Sequence, residues 1–160
     1  MVTPEDIARA AEIAGRIEDP ELPPLTIAEL GVLRSVGADS SGRIVARITP
    51  TYSGCPANVV IALAIEAALR EAGFEDATVK TELAPAWSST DITASGRRRL
   101  ADMGIAPPPA HIDPGASAQI ACPRCGAENT SEISYFGATA CKSLWRCNGC
   151  REPFEAFKAI

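Results

Sequence analysis

The 160-residue chain has one histidine, 5% aromatic residues and no excess of basic charge. Each shortage removes a class of function. The single histidine, His111, lies in a proline-rich stretch, so a cysteine or serine nucleophile would lack its usual base. There is no Glu-x-x-His pair for a di-iron carboxylate site and no glycine-rich nucleotide fingerprint. No apolar run approaches the length of a membrane span, and nothing at the N-terminus reads as a signal peptide. The net charge of −5 argues against nucleic acid and anionic membranes as partners. The expectation is a soluble, cytoplasmic protein with neither kind of partner.

What the chain does have is cysteine. Four of its six cysteines form two Cys-x-x-Cys pairs, Cys122–Cys125 and Cys147–Cys150, with 21 residues between them. Two such knuckles can close a tetrahedron of thiolates around Zn²⁺ or iron, with Gly126 and Gly149 loosening the backbone. A pair of disulfides is the alternative. A ribbon of two or three strands near Ile133–Phe136, Ser143–Arg146 and Phe154–Phe157 is too small to fold without such a staple. Residues 111–160 carry no net charge, whereas a nucleic-acid-binding ribbon usually presents a basic face.

The N-terminal part reads as a small α+β domain. A helix is expected from Thr3 to Ile17, with Thr3 as cap, Pro4 in the first turn, and Asp19-Pro20 ending it. Strands are expected at Val32–Val36 and Arg43–Thr49, joined by a turn at 38–42. Pro56 to Ala72 reads as a helix whose run Val59–Ile65 is apolar nearly all round, as a central core helix would be. A strand at Ala77–Leu83 and a helix from Ala94 to Met103 complete an α-β-β-α-β-α order. The expected domains are 1–106, a Pro-rich linker at 107–117 that holds two modules apart, and a four-cysteine zinc ribbon of short antiparallel strands at 118–160.

Away from the knuckles, Thr49-Pro50-Thr51-Tyr52-Ser53-Gly54-Cys55-Pro56 leads a strand into the second helix. It is expected to place Cys55 at the N-cap, where the helix dipole favours a thiolate. A buried, inert cysteine is the plain alternative. Asp19 and Glu21 flank Pro20 in a rigid loop and could meet Cys55, or could be a turn former and a solvated charge. Cys141, outside both knuckles, is either a packed bystander or a second thiolate for Cys55. Trp87 is expected to seal a sheet edge and Trp145 to cover the ribbon's core. Arg97-Arg98-Arg99 reads as a solvated face or an acidic-partner contact.

Two sets of residues carry a resemblance. Asp19-Pro20-Glu21, Thr26…Leu30-Gly31-Val32 and Thr49-Pro50-Thr51…Gly54-Cys55-Pro56 resemble the small domain of iron–sulfur assembly factors of the SufT and cytosolic-targeting type. Phe136-Gly137-Ala138-Thr139-Ala140-Cys141-Lys142, Trp145-Arg146-Cys147 and Cys150-Arg151-Glu152-Pro153-Phe154…Phe157-Lys158 resemble the C-terminus of the PaaD (PaaJ) family. Trp87 and the Gly104-Ile105-Ala106-Pro107-Pro108 exit extend the second likeness over nearly the whole chain. The resemblance implies a non-catalytic accessory subunit of the ring-1,2-phenylacetyl-CoA epoxidase of phenylacetate catabolism. It implies structural zinc on Cys122, Cys125, Cys147 and Cys150, and transient iron or an iron–sulfur cluster handled by Cys55, with Asp19, Glu21 and Cys141 as candidate neighbours. The partners implied are the oxygenase or reductase components, and a homodimer is an option because related small domains often pair. The alternatives are a general iron–sulfur assembly or targeting factor, a zinc-ribbon nucleic-acid module, and an enzyme using Cys55 as nucleophile.

Overall fold

A computed structural model describes residues 2–111 and 119–160; positions 112–117 of the expected linker lie outside the described residues. The described chain is α+β, with three α-helices and two small mixed sheets. Among the described residues no helix is long and apolar enough to cross a membrane. The chain divides into two compact units after Trp87.

In the first unit, helix α1 (Pro4–Gly15) opens with a reciprocal cap. Thr3 Oγ1 accepts from the Asp6 amide at 3.2 Å, and Asp6 Oδ2 accepts from the Thr3 amide at 3.0 Å. The helix buries Ala10 and Ala14 completely. Strands β1 (Leu33–Ala38) and β2 (Ile44–Ile48) form an antiparallel hairpin. Asp39 closes its turn, accepting from the Ser41 and Arg43 amides at 2.9 and 3.0 Å. Helix α2 (Ala57–Glu71) then carries the chain to β3 (Thr78–Thr81), which lies parallel to β2. A parallel neighbour requires such a crossover. The sheet order is β1-β2-β3.

Helix α2 departs from the expected all-round burial. Ala57, Ile61, Ile65 and Leu69, one turn apart, are buried, while Val59, Val60 and Leu63 are 64%, 53% and 61% exposed. The reason is supply of surface: α1 and a three-stranded sheet cover one side of α2 only. Pro56 and Ala67 extend the uncovered side, giving an apolar stripe without a charge over three turns. Leu83, just beyond β3, is 62% exposed as well. Trp87 is buried as expected, its indole donating to the Leu30 carbonyl at 2.9 Å.

The second unit holds a 3₁₀ turn at Ser89–Asp91, helix α3 (Ala94–Asp102), β4 (Ile105–Ala106), β5 (Thr130–Ser134), β6 (Lys142–Cys147) and β7 (Pro153–Phe157). The sheet order is β4-β7-β6-β5, with β4 parallel to β7 and the other pairs antiparallel. The expected boundary between 106 and 107 is therefore displaced. Ile105 and Ala106 pair with Glu155 and Ala156, and Ala106 packs in the ribbon's core with Ile120, Cys122, Cys147, Phe154 and Ala156. The prolines continue this unit rather than acting as a spacer from their first residue: Pro108 is buried and its carbonyl accepts from Arg97. Arg97 also donates to the Ser89 carbonyl at 2.8 Å, so it ties α3 down and is not part of a solvated face. Trp145 lies partly buried against the ribbon core, as expected.

The two faces of α2 should respond differently to truncation. Ile61→Ala or Ile65→Ala is expected to cost about 2–5 kcal/mol in urea unfolding, the usual range for large-to-small core changes. Leu63→Ala is expected to stay within about 0.5 kcal/mol of the parent, as exposed positions do. A large loss at Leu63 would mean that this face is packed in solution.

Candidate functional site

The four knuckle cysteines converge on one point. Their sulfurs all lie within 4.8 Å of one another, Cys122 Sγ 3.8 Å from Cys150 Sγ and Cys125 Sγ 3.5 Å from Cys147 Sγ. A tetrahedron with Zn–S bonds of about 2.3 Å has edges of about 3.8 Å, so the set fits a zinc ion. None of the six cysteines is in a disulfide, and the four knuckle sulfurs gather around one point as a metal site requires rather than as two bonded pairs. Backbone bonds shape each knuckle: Gly126 N to Cys122 O at 2.9 Å, Cys122 N to Ala127 O at 2.9 Å, and Cys147 N to Glu152 O at 3.0 Å. Gly126 has φ +75°, a conformation that side chains resist.

The electrostatics of the thiols suit a cation. Amide donation from Cys150, outweighing desolvation, pulls Cys147 down to about 6. Cys150 is pushed up to about 11: donation from Glu152 lowers it, but desolvation and the neighbouring sulfurs outweigh that. Without an ion the cluster cannot ionise all four thiols together, and a dication removes that conflict.

A second site lies in the first unit. Cys55 precedes α2, but one residue earlier than expected: Pro56 is the N-cap and offers no side-chain cap. The Cys55 amide donates to Tyr52 O at 3.3 Å, and the Cys55 carbonyl accepts from Asn58 N at 3.1 Å. Gly54 turns the chain into this position with φ +85°; an added Cβ there would meet no atom within 4 Å, so backbone conformation alone selects glycine.

Asp19 reaches Cys55 through a short ladder of backbone bonds. Asp19 N donates to Leu25 O at 2.8 Å, Ile27 N to Ile17 O at 2.8 Å, Val32 N to Ile27 O at 3.0 Å, and Thr49 N to Val32 O at 2.9 Å. Leu22 and Leu25, both buried, anchor the loop between. The result is a pocket of about 10 Å³, room for one water-sized body, lined by Asp19, Thr51, Cys55 and Asn58 with Val32, Pro50 and Ile61. Cys55, Asn58 and Pro50 also line a wider cleft of about 340 Å³, walled by Val59, Thr81 and Leu83. Cys55 thus stands between a tight pocket that Asp19 and Asn58 also line and a wider, open cleft.

Asp19 is only 6% exposed. Its Oδ1 accepts from the amides of Glu21 at 2.8 Å and Leu22 at 3.1 Å. Burial outweighs both bonds and pushes its carboxyl above the usual range. Glu21 contributes only that amide; it is half-buried and is not among the residues lining the pocket. Of the two carboxylates that could meet Cys55, Asp19 lines one pocket with it, while Glu21 folds its amide back onto Asp19 as a turn residue.

Cys141 is buried in the second unit, its sulfur 3.1 Å from Thr139 Oγ1. His111 is exposed. Asn58 was missed from sequence. Its signal is the Cys55-x-x-Asn58 spacing, which sets two polar side chains one turn apart at a helix start. The ribbon motif 136–142 also acquires roles. Lys142 Nζ meets Glu155 Oε2 at 2.7 Å, Glu155 Oε1 accepts from Ala138 N at 3.0 Å, and Lys158 Nζ donates to Ala140 O at 2.8 Å while lying 3.8 Å from the Tyr135 ring. These contacts hold the β5–β6 loop.

Comparison with known proteins agrees with both halves. The family described as an iron–sulfur cluster assembly protein matches residues 15–81, and the PaaD zinc beta ribbon domain matches residues 106–158. A protein of Escherichia coli (strain K12), described as the D component of 1,2-phenylacetyl-CoA epoxidase, is 42% identical over 99% of this chain and 96% of its own. Among solved structures, a domain of unknown function, DUF59, from Bacillus anthracis aligns with TM-score 0.53 and 24% identity, over 59% of this chain and 90% of that one. That last likeness concerns the fold.

Two outcomes follow. Removing zinc with a strong chelator should unfold the ribbon, since structural zinc contributes about 10–16 kcal/mol in comparable peptides. Amide exchange should then quicken at Ile105 and Ala106 together with 119–160, while α1 and α2 keep their protection; a ribbon still protected after chelation would falsify the structural role of the metal. The second outcome concerns Asp19. With its native carboxyl raised above the unfolded 3.8, the native state keeps a proton that the unfolded state has lost, so stability falls as pH rises through 3.8 towards the native value. Asp19→Asn keeps an oxygen for the two amides and loses the charge, so it should be at least as stable as the parent at pH 7 by urea unfolding. A marked loss at pH 7 would show that the charge itself stabilises the loop.

Proposed function

Because the chain belongs to the PaaD family of 1,2-phenylacetyl-CoA epoxidase components, we propose that it is an accessory subunit of such an epoxidase. Its work is to mature or protect an iron or iron–sulfur centre of the complex through Cys55. The observation that carries this reading is the position of Cys55: a thiol beside a buried carboxylate on one side and open to a cleft on the other. Such a thiol can hold a soft or borderline metal and still be reached by a client. The match of residues 15–81 to iron–sulfur assembly proteins supports the same chemistry.

The ribbon's metal has a different task. Four thiolates fill every position of a tetrahedral ion, so that site is closed to substrate and serves structure. The exposed stripe of Pro56, Val59, Val60 and Leu63 starts at the rim of the Cys55 cleft. It is the surface we assign to the oxygenase or reductase component, because a client lying there would bring its metal centre to Cys55. A non-catalytic role is the simplest one for a chain whose lone histidine is His111.

The test is genetic and biochemical together. Cys55→Ser should leave the melting curve close to that of the parent while abolishing support of phenylacetyl-CoA epoxidation in cells that depend on this chain. Full epoxidase activity with the variant would make Cys55 structural and end this reading.

A further inference from the structure

Asn58 carries a buried oxygen that the fold leaves unused. Its Nδ2 donates to Thr81 Oγ1 at 3.2 Å, and its Oδ1 is buried without a hydrogen-bond partner. Thr81 lines the wide cleft but not the tight pocket, whereas Asn58 lines both. The bond to Thr81 occupies the nitrogen end and leaves the buried oxygen end unused in a residue that lines the pocket. A buried acceptor with no donor costs about 1–3 kcal/mol, and an ion that is not part of the polypeptide is one of its ordinary explanations.

The neighbours of that oxygen agree with an ion. Asp19 uses Oδ1 for two amides and has no partner for Oδ2 among the described residues. Cys55 adds a thiol to the same wall. We propose that the pocket binds a single first-row divalent cation through Cys55 Sγ, the Asp19 carboxylate and Asn58 Oδ1, with the remaining position open to the cleft. This inference deepens the reading given above, since it rests on Cys55 being the iron-handling residue and names the form of the cargo.

Size and charge select a lone ion over a cluster. A pocket of about 10 Å³ has room for one water-sized body, and a [2Fe–2S] unit has four core atoms. Binding releases the Cys55 proton to solvent, so one thiolate and one carboxylate neutralise one dication. The cation also supplies a counter-charge to a carboxylate that is buried at the pocket wall. One sulfur and two oxygens suit a metal of intermediate softness, of which Fe²⁺ is the one an iron-handling protein would carry.

Cobalt is the probe. The full chain, with one zinc already in the ribbon, is titrated with Co²⁺ without oxygen, while thiolate-to-cobalt absorption in the near ultraviolet and zinc content are followed. One further cobalt should bind with the absorption of a single thiolate, and Cys55→Ser should abolish it without loss of zinc. Asn58→Leu should weaken binding by about tenfold or more, the lower end of what loss of a supporting group costs a metal site. Asn58→Asp, which keeps an oxygen and adds a charge, should tighten it, a gain that misfolding cannot imitate. No cobalt beyond the ribbon's equivalent, or equal affinity in the parent and both Asn58 variants, overturns the proposal. The two readings fail separately. If Cys55→Ser abolishes epoxidase support but the parent takes up no cobalt, only the single-ion site is lost. If cobalt binds but Cys55→Ser supports full epoxidation, only the maturation role is lost.

Discussion

A carboxylate buried without a counter-charge is the constraint around which the first unit is arranged. Asp19 could be left in water by a slightly longer loop. Instead its backbone pairs with Leu25, its side chain caps the Glu21 and Leu22 amides, and the strand entry at Val32 draws the 49–56 segment beside it. Each bond in that ladder helps to hold Asp19 and Cys55 to one pocket. A fold selected for stability alone would place a neutral group at 19. The cost is tolerated where it prepares a site, the usual company of perturbed titratable groups.

The proposed function separates two uses of thiolate chemistry. In the ribbon, four sulfurs surround one point, leaving no position for exchange, and the ion substitutes for a core that six buried residues cannot supply. At Cys55, one sulfur, one carboxylate and one amide oxygen leave an opening towards a cleft. A closed site holds its metal for the life of the fold; an open one can release it. In the proposed role this division has a purpose: the Cys55 site can pass a metal on while the ribbon keeps its own.

Much of this was legible in the residues. The cap at Thr3 with Pro4 behind it predicted α1, and the two knuckles with their spacing predicted a tetrathiolate site. Helix α2 was legible as a helix and misread as to burial. The run 59–65 is apolar on every side, and periodicity cannot distinguish a helix buried in its own core from one whose second face awaits a partner. Strand β4 was hidden for another reason: two residues ahead of three prolines carry no alternation, and only pairing with β7 makes them a strand. Asn58 was passed over because an asparagine near a helix start is commonplace; its significance lies in an orphaned oxygen that only the packing exposes. Glu21 was left open between chemistry and a solvated charge, because sequence does not show the turn that folds its amide back on Asp19.

The most direct test of separate metal duties is elemental. The protein is purified without oxygen from iron-replete cells, and zinc, iron and acid-labile sulfide are counted per chain for the parent and for Cys55→Ser. The account predicts one zinc in both proteins, with iron beyond it in the parent alone and no matching sulfide. Iron retained equally by the variant, or zinc lost along with Cys55, would contradict it.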